Sequence, residues 1–435
     1  MPRPGRSLLA LAVVACALVT PAAALAAGQE GGLAPRLASA MRGAGRLSGA
    51  FVYNATAGHT VFSRRSRRTR VLASNTKLFT TTTALLRFGP LARLHTRVLG
   101  LGTLGSDGTF IGDLYLRGGG DPTFGSRRFV RRNYGRGATV QALVARIKQA
   151  GVRAVQGGIY GDESLFDRLR GGPDSGFRTS VWMGGPLSAL AYNRGLANER
   201  GSAFQRSPAK FAAAQLKTAL RHRGVPVSGP VGVRRTPATA QPIAVVDSPP
   251  MSTLIRFTNK PSDNFFAEML LKDVAAFVTG KGITPRGARL ARRTARALGS
   301  SARLVDGSGL SRGDRASPYR IVRLLLSMHA RPEFSGFYNS LSIAGVDGTL
   351  VHRMRRGPAH RHCRAKTGSL AGVSALSGYC TARSGDVYAF SILMNRVNVF
   401  AARRLQNRMA QAIAGVRALA PVSPAPGAPA GSARR

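Results

Sequence analysis

Apolar residues recur every three to four positions over residues 75–88, at Leu78, Phe79, Ala84, Leu85 and Leu86, and the pattern stops at Gly89-Pro90. That period predicts a buried helix. Helical spacing returns over 138–150, 208–223, 264–278, 288–297 and 317–329, and a closing helix is expected over 399–418. Strands are predicted at 47–53 and 60–63 around a turn at 54–59, at 387–394, and in a hairpin over 363–381 that turns at Ala371-Gly372. Between 96 and 247, short strand-like runs alternate with glycine-rich turns such as Gly118-Gly119-Gly120-Asp121-Pro122. This stretch reads as one or two β-rich modules, with Asp121 and Asp162 as turn formers. The fold class is α/β (α+β).

The two ends depart from these periods. Residues 1–26 run from Arg3 and Arg6 through an apolar stretch to Ala24-Leu25-Ala26, the grammar of a secretory signal peptide. An alternative is lipidation at Cys16, which follows Val13-Val14-Ala15. Either way an extracytoplasmic protein is expected, in the periplasm, in the cell wall or secreted. Residues 421–435 are rich in Pro, Ala and Gly and read as a disordered tail.

With 435 residues, 44% of them hydrophobic, the chain can bury more than one core. Its net charge of +46 comes mostly from arginine. Such a surface either holds an anionic cell-wall polymer or membrane face by screened attraction, or is a compositional bias spread over solvated positions. Nucleic acid is excluded as a partner, because the chain reads as exported and its arginines are not interleaved with aromatics. Apart from Cys16 there are two cysteines, Cys363 and Cys380, which the predicted hairpin sets opposite each other. They are expected either as a disulfide or as two buried thiols in neighbouring strands. The histidines show no metal spacing, His360 and His362 reading as part of a basic loop, so no metal or organic cofactor is expected.

Three short motifs carry candidate chemistry. Ser74-Asn75-Thr76-Lys77 opens a predicted helix, where serine and lysine three apart share one face and the helix N-terminus favours a developing alkoxide. Ser262-Asp263-Asn264 precedes another helix, and Lys366-Thr367-Gly368 lies in a strand. Each alone is also what a helix cap or a surface lysine looks like. Their order and settings together resemble the signature of penicillin-binding proteins and class A β-lactamases.

The long interval from Ser74 to Ser262 resembles the D-alanyl-D-alanine carboxypeptidases of the penicillin-binding-protein 4 type, peptidase family S13, in which extra domains separate the first two motifs. Gly119-Gly120-Asp121-Pro122, Gly161-Asp162, Ser188-Ala189-Leu190, the Asp306 to Arg312 stretch, the Ala344 to Leu350 stretch and 376–379 are similar to the same family. The resemblance implies a transpeptidase-like, β-lactamase-like catalytic domain in two parts, 28–95 and 248–420, with a β-rich insertion of one or two domains at 96–247.

It further implies a serine-type cycle on peptidoglycan stem peptides. Ser74 attacks the D-Ala-D-Ala carbonyl, Lys77 takes the proton and Ser262 relays it to the leaving amine. Asn264, Lys366, Thr367 and Gly368 bind substrate, and the N–H groups of Ser74 and Ser369 form the oxyanion hole. Cleavage of D-Ala-meso-diaminopimelate cross-links and covalent binding of β-lactam antibiotics are expected of the same site. A β-lactamase or related serine esterase is the alternative chemistry, and a non-catalytic cell-wall-binding protein the alternative of another kind. Glu268, four residues after Asn264, is expected to form a helical salt bridge or to pack beside the site, without a catalytic role.

Overall fold

The computed structural model describes residues 30, 32–198, 201 and 203–418; the signal segment, Cys16 and the 421–435 tail lie outside the described residues. Helix α1 (Leu33–Arg42) leads into a hairpin of β1 (Ser48–Asn54) and β2 (His59–Arg64), then β3 (Arg70–Val71) and α2 (Thr76–Phe88). A second group follows: β4 (His95–Leu104), β5 (Thr109–Arg117), α3 (Arg127–Tyr134), α4 (Val140–Gln149), β6 (Ala154–Val155), β7 (Ile159–Asp162), α5 (Pro208–Arg221), β8 (Val231–Val233) and β9 (Gln241–Asp247). The chain returns through α6 (Met251–Asn259), α7 (Asn264–Thr279), α8 (Thr284–Ala297), β10 (Arg315–Ala316), α9 (Pro318–His329), α10 (Phe334–Ser340) and β11 (Ser342–Ile343). It closes with β12 (Cys363–Leu370), β13 (Val373–Thr381), β14 (Val387–Asn395) and α11 (Val399–Ala414).

The main sheet runs β11-β12-β13-β14-β1-β2, so β1 from the N-terminal side pairs antiparallel with β14, with Ser48 opposite Met394. Side chains alternate across a strand, and here both faces are covered. Phe51, Ala375, Tyr379, Ala389 and Leu393 enter one core with helices α2, α6, α7 and α9. Val52, Leu376, Cys380, Phe390 and Ile392 enter the other, against α1 and α11. Near-continuous apolar strands of this kind gain about 1.5–3 kcal/mol for each large side chain fully buried. The two tyrosines among the largest buried side chains of these strands are satisfied through their hydroxyls: Tyr379 donates to the Leu325 carbonyl at 2.7 Å and Tyr388 to Glu30 Oε1 at 2.8 Å.

The second sheet is built from residues between His95 and Asp247 and runs β8-β7-β5-β4-β9, with β6 beside β5. Its β5, β7 and β8 pair in parallel, and the crossovers carry α4 and α5, which pack on the sheet with Leu143, Ile147, Leu216 and Leu220. The parallel pairing was not foreseen from the turn-rich sequence, because it depends on crossovers between separated runs.

Two helix limits differ from the sequence reading by about a turn. The helix expected at 288–297 starts a turn earlier, at Thr284, because Pro285 sits in the first turn, where its missing N–H costs nothing. The helix expected to reach 418 ends at Ala414, whose carbonyl is captured by the N–H of Arg383.

The approach to the nucleophile turn is anchored by one buried arginine. Arg70 donates to the carbonyls of Leu47, Ser48, Arg65 and Arg68. Gly49 makes room for it: a Cβ there would lie 2.6 Å from the guanidinium.

Candidate active site

Ser74 sits in a single 3-10 turn, Ala73–Asn75, that runs directly into α2. Ala73 is held at φ +47°, a left-handed conformation costly for a residue with a Cβ. The turn is braced from two sides: Leu72 N–H donates to the Asp314 carbonyl, and Asn75 Nδ2 donates 3.1 Å to the Lys366 carbonyl on β12. Behind it, the threonine-rich face of α2 is buried, and Thr81 and Thr83 satisfy their hydroxyls on the carbonyls of Lys77 and Phe79.

Lys77, one turn into α2, is completely buried. Its Nζ contacts Ser74 Oγ at 3.0 Å, Asn264 Oδ1 at 2.7 Å and the Ser308 carbonyl at 2.6 Å. Burial lowers its pKa to about 8, against the opposing pull of Asp306, Asp263, Glu268 and Asp314. Asn264 begins α7. Its amide is oriented by a second bond, Nδ2 to the Trp182 carbonyl at 2.7 Å. Asp263 caps α7 through Phe266 N–H and pairs with Arg194 at 2.5 Å, which ties the 193–194 turn to this helix start.

Ser262 is half-buried, with its backbone at φ +63°. Among the described residues its hydroxyl has no hydrogen bond to Ser74 or Lys77; only its N–H is engaged, on the Asn259 carbonyl at 3.3 Å.

On β12, Lys366 is buried and its Nζ donates to the Thr367 carbonyl at 3.0 Å. Desolvation and then the nearby Lys77 charge hold its pKa well below the usual lysine range. Thr367 Oγ1 donates to Thr349 Oγ1 at 2.7 Å. Gly368 is needed for a reason internal to the fold: a Cβ there would stand 2.9 Å from the Leu72 carbonyl and 3.1 Å from Ser74 N. The strand thus lies against the nucleophile turn. Ser369 follows, its Oγ accepting from Arg403 at 3.0 Å. At the start of the same hairpin, Cys363 and Cys380 are opposite in register and bonded to each other.

Of the two roles expected for Glu268, the structure shows packing beside the site: it is fully buried, makes no salt bridge among the described residues, and accepts the N–H groups of Gly307 at 2.8 Å and Ser308 at 2.7 Å. Its neighbour Asp306 accepts Gly309 N–H and Ser311 N–H, each at 2.7 Å. Sequence reasoning missed Ser308 as a partner of Lys77, since a backbone carbonyl leaves no mark on residue type. Away from this cluster, Asp121 and Asp162 accept the N–H groups of Thr123 and Ser164 two residues on, as turn formers do. Asp121 lies near Asp273, which is buried and whose carboxylate oxygens have no hydrogen-bond partner among the described residues.

Residues 33–195 and 194–416 match the model of the D-Ala-D-Ala carboxypeptidase 3 (S13) family. The chain is 30% identical over 432 residues to a D-alanyl-D-alanine carboxypeptidase of Actinomadura sp. (strain R39), covering 81% of this chain and 78% of that protein. It is 29% identical to the carboxypeptidase DacB of Mycolicibacterium smegmatis, covering 84% and 80%. The crystal structure of penicillin binding protein 4 from Haemophilus influenzae superposes with a TM-score of 0.70 at 21% identity, over 86% of this chain and 97% of the other.

Proposed function

Since the chain belongs to the D-Ala-D-Ala carboxypeptidase S13 family, and is a serine-type D-Ala-D-Ala carboxypeptidase acting on peptidoglycan peptides, we propose that Ser74 is its nucleophile and Lys77 the base that activates it. One observation carries this reading: a buried lysine with a lowered pKa contacts the serine hydroxyl, and its two other contacts are carbonyl oxygens. A neutral amine has two N–H bonds and one lone pair. Asn264 Oδ1 and Ser308 O can only accept, so they take the two N–H bonds. The lone pair is left facing Ser74 O–H, as proton abstraction requires.

In the proposed cycle Ser74 Oγ bonds the carbonyl carbon between two D-alanines as its proton passes to Lys77. The resulting oxyanion is stabilised by the N–H groups of Ser74 and Ser369. Its collapse breaks the C–N bond, and the leaving amine of D-alanine takes the proton back through Ser262. Water then hydrolyses the ester, releasing the shortened peptide and restoring Ser74.

Lys366, Thr367 and Gly368 receive the terminal carboxylate. A carboxylate arriving beside Lys366 opposes the burial that lowers its pKa and stabilises its charged form, which favours substrates carrying a free carboxylate. The same acyl transfer accounts for covalent capture of β-lactams and extends to D-Ala-meso-diaminopimelate cross-links. The family relation supports an extracytoplasmic site of action, and among the described residues no helix is long and apolar enough to cross a membrane. The net charge of +46 supports contact with anionic wall polymers.

The test is D-alanine release together with covalent labelling by a fluorescent penicillin, in the wild type and in Ser74→Ala. Label and turnover both lost in a variant that melts like the wild type support the reading. Retained turnover in folded Ser74→Ala overturns it.

A further inference from the structure

The two acceptors that orient Lys77 differ in kind. Asn264 Oδ1 belongs to a side chain on a regular helix. Ser308 O belongs to an irregular loop between α8 and β10, where a peptide plane is free to rotate unless something holds it.

That loop is held plane by plane. The peptide joining Gly307 to Ser308 is gripped at both ends: its N–H donates to Glu268 Oε1 at 2.7 Å, and its carbonyl accepts from Thr80 Oγ1 at 2.7 Å. The next peptide is gripped likewise, its carbonyl by Lys77 Nζ and its N–H by Asp306 Oδ1. Glu268 Oε1 also takes the Gly307 N–H, so one carboxylate oxygen fixes two successive planes. The loop then presses on the nucleophile turn: Gly309 has φ +83°, and a Cβ there would lie 1.9 Å from the Ala73 carbonyl.

We propose that Glu268 is the positioning residue of the proton-accepting lysine, pinning the 307–308 peptide so that the Ser308 carbonyl takes one N–H of Lys77 and turns its lone pair to Ser74. This rests on the reading of Lys77 as the base. Glu268 does not touch substrate; it acts through a backbone carbonyl that no substitution removes directly, and it lies one turn along α7 from Asn264, which sets the other N–H. Thus α7 fixes both directions, one through a side chain and one through a loop. The charged groups facing Lys77 are Asp306, Asp263, Glu268, Asp314 and Lys366.

The test compares Glu268→Gln with Glu268→Ala, measuring kcat and KM for D-alanine release and the melting temperature of each. Glutamine retains the acceptor for both N–H groups, while Oε2, which glutamine replaces by NH2, has no partner to lose among the described residues. A misplaced base costs about 100-fold. Glu268→Ala is expected to lower kcat by about that factor with KM changed less than about threefold, and Glu268→Gln to recover most of the loss. A folded Glu268→Ala with wild-type kcat overturns the proposal, as does a loss confined to KM. A Glu268→Gln that melts like the wild type yet loses kcat by about 100-fold also overturns it, and decides the matter alone if the alanine variant does not fold. Lys77→Ala serves as the separate control: turnover surviving in that variant sinks the assignment of the base itself, whatever Glu268 does.

Discussion

Lys77 Nζ meets Asn264 Oδ1 at 2.7 Å, and it can meet only the oxygen of that amide, because Nδ2 is committed to the Trp182 carbonyl. The orientation matters, since an amide oxygen binds the neutral amine without stabilising its charged form as a carboxylate does.

From this follows the expected behaviour of Asn264→Asp. The carboxylate raises the lysine pKa above its value of about 8, shrinks its neutral fraction at pH 7 further and sets an oxygen against the Trp182 carbonyl. Acylation by a fluorescent penicillin should fall about 100-fold at pH 7 and recover partly in more alkaline buffer. A folded variant acylated at the wild-type rate at pH 7 would contradict the role given to the amide.

The wild-type pH profile has a fixed sign. Lys77 is lowered to about 8 by burial and must be neutral to accept a proton, so its active fraction falls as pH drops below that value. The acidic limb of kcat/KM for D-alanine release should therefore rise about tenfold per pH unit and level off near pH 8. A profile flat between pH 6 and pH 8 would exclude Lys77 as the group that titrates.

Asp273 and Asp121 are buried near each other, with no ion pair to either among the described residues. Desolvation raises both, Asp121 to about 7 and Asp273 well above the usual carboxylate range. A carboxyl whose folded pKa is raised binds more protons folded than unfolded between the two values, so its contribution is present at low pH and lost as pH rises through the folded value. Asp273→Asn removes that loss. Its melting temperature should exceed the wild type at pH 8, by an amount equivalent to about 1–3 kcal/mol, and approach it only near the ordinary carboxylate value of 3.8. An equal shift at both pH values would show that the carboxyl does not titrate in this range.

The Cys363–Cys380 disulfide closes the end of the hairpin that carries Lys366. Replacing both residues by alanine should cost about 2–4 kcal/mol, read as a lower melting temperature, and should blunt acylation at temperatures approaching that melt. Unchanged melting in the double variant, with the wild type proven oxidised by thiol titration, would deny the bond a stabilising part.

What could be read beforehand follows from how far each signal travels along the chain. Ser74, Lys77 and Asn264 each lie at a helix start that apolar periodicity marks, and Ser74 and Lys77 share one helix face; that Asn264 meets Lys77 was implied only by the resemblance of the three motifs to the penicillin-binding family. Cys363 and Cys380 share one hairpin, whose register follows from a single turn at Ala371-Gly372. The rest depends on partners distant in sequence or silent in residue type. Ser308 acts through its carbonyl, Glu268 through two backbone N–H groups, and Arg194 reaches Asp263 across the chain. In the second sheet the parallel neighbours β5, β7 and β8 are separated by crossovers, so strand-like runs alone did not give their order.

The pairing of β1 with β14 also sets when this enzyme can begin to work. The nucleophile turn leans on β12, β12 is held by β13, and the sheet closes only when β14 joins a strand made at the beginning of the chain. Contacts this distant in sequence form slowly, because a long loop must be closed before they repay its entropy. A growing polypeptide therefore carries Ser74 and Lys77 before β14 exists, yet lacks the closed sheet on which its nucleophile turn leans until β14 has joined both β13 and β1.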